Sequence, residues 1–125
     1  MTRLPLDGIR ILEASEALAL PYAMGIMADL GAEVIVVEHA GRLNIFRPPG
    51  PYPDNDPGER WWDRAGGWNY WSRSKMHLTL DLTNPKGREI FKALVRISDL
   101  VVENFTARVI RNFGLHYEEI QKIKS

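Results

Sequence analysis

Cysteine is absent from this sequence, which excludes disulfide bonds and thiolate chemistry. Net charge is absent as well: sixteen basic residues balance sixteen acidic ones, so non-specific binding to nucleic acid has no overall electrostatic drive. No uninterrupted apolar run approaches the roughly 20 residues of a membrane-spanning helix, and the N-terminal residues lack the apolar core of a signal peptide. We therefore expect a cytoplasmic protein with no nucleic-acid or membrane partner.

Apolar residues are plentiful, at 45% of the 125 positions, which is enough for the core of one compact domain. The organising stretch is 8–38. Its apolar run from Ile9 to Leu12 predicts a strand, and the β-branched run from Val34 to Val37 predicts a second strand covered on both faces. Between them, helical spacing predicts a helix that starts around Pro21 and stops at Gly31. In such a βαβ unit, ligands bind beyond the carboxyl ends of the strands.

The second half of the chain continues the alternation of strands and helices. Residues 77–82 alternate as a strand with one buried face, and Asn84 followed by Pro85 is typical of a helix start. Further elements are predicted as a strand at 100–102, a short helix from Thr106 to Gly114 and a helix from Tyr117 to Lys124. This alternation predicts an α/β fold with an open, mainly parallel sheet flanked by helices.

A long stretch rich in proline, glycine and tryptophan, residues 39–76, interrupts this pattern and is called the excursion below. Irregular segments of this length are uncommon in compact domains unless they are functional or disordered. Its tryptophans argue against disorder, because large aromatic faces pack against something. They are Trp61, Trp62, Trp68 and Trp71. We predict that the excursion folds over the carboxyl edge of the sheet or onto a partner subunit.

A series of motifs resembles the start of the class III CoA-transferases, the CaiB/BaiF family, which includes formyl-CoA and carnitinyl-CoA transferases and α-methylacyl-CoA racemases. In chain order the motifs are LPLDGIRILE, PYA, ADLGAEVIVVE, LTLDL, VVENF and FGLHYEEI. The resemblance implies a Rossmann-like large domain, an interlocked homodimer, and acyl-CoA and carboxylic acid substrates. Coenzyme A is then the expected ligand, and no metal is expected.

The resemblance also implies that residues 1–125 are the N-terminal segment of a longer CoA-transferase. In the family, CoA moves between an acyl-CoA and a carboxylic acid through an aspartyl-CoA intermediate, and the nucleophilic aspartate lies downstream of the matched segment. The local carboxylates of Asp29, Asp81 and Asp99 are better explained as solvated or capping groups. We therefore expect CoA-contacting positions in this chain but no catalytic residue.

CoA-contacting positions are carried over from the family motif by motif. The loop after the first strand is implied to contact CoA through its backbone, although Leu18 stands where relatives often have a polar residue and Leu20 where they have glycine. His39 stands at the register of an arginine that stacks near adenine or contacts phosphate. The positions so assigned are Ala17, Leu18, Ala19, His39, Leu80, Asn104, Phe105 and Arg111.

The basic turn and the tryptophans each have two interpretations. The basic turn Arg73-Ser74-Lys75 is interpreted as an anion contact or simply a charged edge. The tryptophans suit subunit packing first and an acyl pocket second.

The sequence can be compared with three functions other than a CoA-transferase. A generic dinucleotide-binding domain is disfavoured, because no glycine lies between Glu13 and Pro21 where that motif needs several. A racemase fragment remains an alternative, since nothing in the sequence separates it from a transferase. A non-catalytic interaction module with a tryptophan-rich surface is the third.

Overall fold

The computed structural model describes residues 3–123. Within that range the strands are β1 (Arg10–Ala14), β2 (Glu33–Glu38), β3 (Met76–Thr79) and β4 (Leu100–Glu103). They form one open sheet in the order β3-β2-β1-β4, and every neighbouring pair is parallel. The predicted α/β fold with a parallel sheet is therefore confirmed.

Helices cover both faces of this sheet. They are α1 (Ala19–Asp29), α2 (Trp61–Arg64), α3 (Gly66–Ser72), α4 (Pro85–Arg96), α5 (Ala107–Asn112) and α6 (Tyr117–Ile120). One core packs α1 against β1 and β2 through Met24, Ala28 and Val34. The other packs α4 and α5 against the opposite face, where Phe91 and Leu12 are among the most buried side chains. Because both faces are covered, the central strands carry runs of consecutive apolar residues, 11–12 in β1 and 34–37 in β2, as in other parallel sheets.

The first βαβ unit forms as predicted, with one shift at the start of its helix. Helix α1 begins at Ala19, so Pro21 is its third residue rather than its first. The first four N–H groups of a helix lack an internal partner, so proline is tolerated there too. The helix stops at Gly31, whose φ is +102° and where a Cβ would lie 2.6 Å from an oxygen of Asp7. Both the left-handed conformation and the close approach require glycine.

Strand β3 is shorter than the alternation at 77–82 predicted. Its ladder ends where the Leu80 N–H donates to the Glu38 carbonyl at 2.9 Å, and the chain then turns at Asp81. Leu80 and Leu82 are nevertheless buried, so the alternating pattern predicted their burial correctly although the strand ends before them. The start of α4 is confirmed: the Asn84 carboxamide oxygen accepts from the Lys86 N–H at 2.9 Å.

The two helices predicted at the end of the chain also form, but the second is shorter than predicted. Helix α5 is followed by Gly114 with φ +63°, as expected for a left-handed stop. Helix α6 ends at Ile120 and turns follow to residue 123, while Lys124 lies outside the described residues. None of the helices in residues 3–123 is long and apolar enough to cross a membrane.

The excursion folds back onto its own domain. Helix α3 packs beside α1, where the Trp71 and Tyr22 rings meet edge to face with centroids 5.3 Å apart. Trp68 is buried and lies against the His77 ring at 5.0 Å. Trp68 and Trp71 thus make contacts within the chain, and the subunit packing expected first for the tryptophans stays a prediction.

Candidate functional site

A cavity of about 280 Å³ opens at the carboxyl edge of the sheet, where segments following all four strands meet. Its walls come from the loop after β1, the turn after β2, the segment after β3 and the start of α5. The floor is apolar and is formed by Val37, Leu80, Leu82, Phe105, Val109 and Phe113. The rings of Phe105 and Phe113 meet edge to face at 5.9 Å. Such a floor suits a flat, weakly polar group.

The wall after β1 is held in place by Asn104. Its carboxamide oxygen accepts from the Glu16 backbone N–H at 2.9 Å, and its nitrogen donates to the Glu16 carbonyl at 2.8 Å. We expected this amide to suit a ligand contact, yet both of its polar atoms are engaged with Glu16. Asn104 therefore ties the loop after β1 to the end of β4 and shapes one wall of the cavity.

Replacing Asn104 with alanine is expected to lower the free energy of unfolding by about 1–2 kcal/mol, because two hydrogen bonds of about 1 kcal/mol each are lost. Asn104→Asp should not restore the loss, because a carboxylate would face the Glu16 carbonyl. Urea unfolding measures both. Asn112→Ala, an exposed asparagine at the end of α5, is the matched control. Equal stability of the Asn104 and Asn112 variants would contradict this role.

The turn after β2 presents two side chains at the rim. The Arg42 N–H donates to the His39 carbonyl at 3.0 Å, which closes the turn. The Gly41 N–H donates to His39 Nδ1 at 3.0 Å, so that nitrogen acts as an acceptor. The other ring nitrogen, Nε2, then carries the hydrogen and lies 3.6 Å from the Asp81 carboxylate. His39 is thus held at the rim through the Gly41 N–H, with Nε2 directed toward Asp81.

The rim carries one exposed ion pair and one further carboxylate. The Arg42 guanidinium lies 3.0 Å from the Glu16 carboxylate, with 75% and 38% of their side chains exposed. The Thr83 hydroxyl and N–H donate to Asp81 at 2.6 and 2.8 Å and lower the pKa of this carboxyl, so Asp81 is ionised at neutral pH. A polar rim around an apolar floor can orient a ligand with one flat end and one charged end.

Beside the cavity, the end of β1 carries a buried ion pair. Glu13 and Lys75 are 0% and 1% exposed, and their charged atoms lie 2.9 Å apart. Ser15 donates to the same carboxylate at 2.6 Å, and Lys75 also donates to the Pro21 carbonyl at 2.7 Å. Burial lowers the pKa of Lys75, and Glu13 opposes that shift. The pair fastens the end of β1, the first turn of α1 and the start of β3 together.

The basic turn that we interpreted as an anion contact or a charged edge thus has a different role. Lys75 is buried with Glu13, and Arg73 and Ser74 both contact the Asp29 carboxylate, at 2.8 and 3.2 Å. The basic turn therefore binds carboxylates of its own chain and not an external anion. The signal in the sequence is Glu13, an acidic residue directly after the apolar run of the first strand.

A second largely buried ion pair lies at the end of β2. Arg47, with 8% of its side chain exposed, reaches both oxygens of Glu38, the closest contact being 2.5 Å. It also donates to the Trp62 carbonyl at 2.7 Å and to Asp63 at 3.0 Å. Its guanidinium carbon lies 3.6 Å from the centroid of the Trp68 ring. Arg47 therefore anchors the excursion to the sheet, which the sequence did not reveal.

The eight positions assigned from the motifs fall into two groups. His39, Leu80 and Phe105 line the cavity, and Asn104 supports its wall. The others lie nearby but do not line it; they are Ala17, Leu18, Ala19 and Arg111. Ala17 has a left-handed φ of +60°, and Arg111 is exposed on α5. Among residues 3–123 no group of three or more potential metal ligands comes together.

An open parallel sheet with a cavity at its carboxyl edge is the arrangement in which α/β proteins bind ligands beyond the ends of their strands. The chain belongs to CoA-transferase family III, which matches residues 6–125. The CaiB/BaiF resemblance is thereby confirmed.

Individual relatives agree with this family. The succinyl-CoA--D-citramalate CoA-transferase of Chloroflexus aurantiacus is 36% identical over 119 residues, covering 95% of this chain and 28% of that protein. The formyl-CoA:oxalate CoA-transferase of Afipia carboxidovorans is 35% identical over 118 residues, covering 94% of this chain and 26% of that protein. The chain thus spans little more than a quarter of these relatives.

Solved structures show the same fold. A CaiB/BaiF family protein from Brucella suis superposes with a TM-score of 0.83 at 31% identity, covering 98% of this chain and 31% of that one. The hypothetical protein Rv3272 from Mycobacterium tuberculosis superposes with a TM-score of 0.79 at 29% identity, covering 95% and 30%.

Proposed function

We propose that this chain forms the nucleotide-binding part of a family III CoA-transferase, which moves CoA between an acyl-CoA and a carboxylic acid. The observation that carries the proposal is the cavity itself, with an apolar floor and a charged rim beyond the ends of four parallel strands. The relatives support the reaction class, because the two described above are named CoA-transferases. The full-length protein is proposed to be a cytoplasmic homodimer.

The shape and lining of the cavity suit the adenosine end of CoA. Its volume of about 280 Å³ is too small for the whole cofactor. Leu80, Phe105 and Phe113 offer apolar contact for the adenine ring, and aromatic side chains stack readily on bases. His39 and Arg42 at the rim are placed to meet the ribose and phosphate groups as these leave the floor. The pantetheine arm and the thioester would extend beyond the cavity.

The acyl-transfer step requires a free carboxylate that attacks the thioester carbonyl and displaces the CoA thiolate. The carboxylates next to the cavity are engaged within the chain: Glu13 with Lys75, Glu16 with Arg42, Glu38 with Arg47, and Asp81 with Thr83. We therefore place the nucleophilic aspartate of the proposed aspartyl-CoA intermediate outside this chain, and assign the chain to binding and orientation.

Replacing Phe105 with alanine in the full-length protein is expected to weaken CoA binding on the order of tenfold, since stacking on an aromatic ring contributes about 1–3 kcal/mol per base. Isothermal titration calorimetry with CoA and with adenosine measures the effect. Both ligands should lose affinity by the same factor, because the proposed contact is to the base.

Phe46→Ala is the matched control, because Phe46 packs against Trp71 in the excursion and does not line the cavity. Its CoA affinity should equal that of the wild type. Unchanged affinity of a folded Phe105→Ala variant, or no binding of CoA by the wild type, would contradict the proposed function.

A further inference from the structure

The ion pair across the cavity rim suggests how affinity for the ligand is set. Arg42 is the only lysine or arginine among the described residues that line the cavity. Its guanidinium is bound to Glu16 at 3.0 Å, while three quarters of its side chain remains exposed. We infer that Arg42 is a phosphate contact and that Glu16 competes with the phosphate for it. This inference rests on the proposed function and names a residue that limits affinity within it.

The backbone of Glu16 is fixed at the rim, because both of its polar atoms are held. Asn104 bonds its N–H and its carbonyl at 2.9 and 2.8 Å. Glu16 therefore remains in the cavity wall when Arg42 turns away, and its side chain keeps a carboxylate within reach of the rim. A phosphate bound at Arg42 would lie close to this negative charge, so its binding must overcome both the existing ion pair and like-charge repulsion.

Two other cations close to the cavity are neutralised by better-buried carboxylates. Arg47 is held by Glu38, and Lys75 by Glu13. Arg111 is exposed on α5 but does not line the cavity. Among the described residues that line the cavity, Arg42 alone combines exposure, the charge of a guanidinium and unused N–H donors, because only one of its nitrogens contacts Glu16.

Replacing Glu16 with glutamine in the full-length protein tests the inference, because the change removes the charge and keeps the shape. CoA should bind about three- to tenfold more tightly, the range expected for releasing one exposed ion pair and one repulsive contact. Adenosine, which has no phosphate, should bind with unchanged affinity. Arg42→Gln should weaken CoA binding and again leave adenosine unchanged. Calorimetry with both ligands gives the affinities.

Glu33→Gln is the matched control. Glu33 pairs with Arg10 at the opposite edge of the sheet, at similar exposure, and the substitution changes the net charge equally. Its CoA affinity should equal that of the wild type. The gain from Glu16→Gln should also shrink as salt is raised, because exposed charges are screened.

The outcomes separate this inference from the proposed function. Tighter CoA binding by Glu16→Gln, with adenosine unaffected, supports the competition. Unchanged or weaker CoA binding by a folded Glu16→Gln variant overturns the competition between Glu16 and the phosphate. The proposed function still stands in that case, provided that the wild type binds CoA. A gain seen equally with Glu33→Gln reflects net charge alone and also overturns the competition. If the wild type binds neither CoA nor adenosine, both conclusions are lost.

Discussion

Replacing Lys75 with methionine is expected to lower the free energy of unfolding by about 3–5 kcal/mol, the loss seen when one partner of a buried ion pair is removed. The substitution leaves the Glu13 carboxylate fully buried with only the Ser15 hydroxyl as a donor. It also removes the hydrogen bond to the Pro21 carbonyl, which joins β3 to the first turn of α1. Urea unfolding followed by circular dichroism measures the difference.

Two further variants separate the buried charge from the loss of packing. Glu13→Leu combined with Lys75→Met removes both charges and should recover most of the lost stability, because apolar pairs of similar volume replace buried ion pairs at little cost. Lys122→Met, which breaks an exposed pair with Glu119, should change stability by less than about 1 kcal/mol. Equal losses of stability in Lys75→Met and Lys122→Met would contradict the expectation that burial makes the Glu13–Lys75 pair more important than an exposed pair.

Replacing Arg47 with methionine is expected to cost on the order of 3 kcal/mol and to release the excursion from the sheet. The Glu38 carboxylate would lose its counter-ion, and the Trp62 carbonyl would lose its donor. The packing of the guanidinium over Trp68 would be lost as well. Hydrogen exchange followed by mass spectrometry should show faster exchange across residues 39–76 and little change in α4.

Lysine at position 47 tests which property of arginine matters. It keeps the charge but cannot bond both oxygens of Glu38 as a planar fork or cover Trp68 in the same way, so it should recover only part of the stability. Arg60→Met, an exposed arginine in the same excursion, is the control and should exchange as the wild type does. Unchanged exchange in Arg47→Met would mean that other contacts hold the excursion in place.

Together these two ion pairs make the excursion part of the folded domain. Glu13 and Glu38 lie at the carboxyl ends of neighbouring strands, and each is neutralised by a cation from the excursion. Glu38 also lines the cavity, and it accepts from the Asn44 N–H at 2.8 Å, which directs the turn after β2 toward the rim. The buried charges therefore hold the walls of the site in position, although Glu13, Lys75 and Arg47 do not line the cavity themselves.

Local chemistry was sufficient to predict the strands, their parallel arrangement and the helices outside the excursion, but not α2 and α3 within it. Apolar β-branched runs identified β1 and β2, a side-chain cap identified α4 at Asn84, and a left-handed glycine ended α1 at Gly31. These signals act over a few neighbouring residues, so they can be read directly from the chain. The motif resemblance placed His39, Leu80 and Phe105 at one site, and they do meet, because carboxyl ends of parallel strands share one edge.

No local signal in the sequence predicts which charged groups pair in the folded protein. Lys75 reaches Glu13 across 62 positions of the chain, and Asn104 reaches Glu16 across 88. Such pairs depend on the strand order β3-β2-β1-β4 and on the path of the excursion, and the energy of a buried charge depends on everything around it. The amino-acid pattern therefore specified the sheet and the edge at which the cavity opens, whereas the partners of each ionised group followed from how distant segments pack.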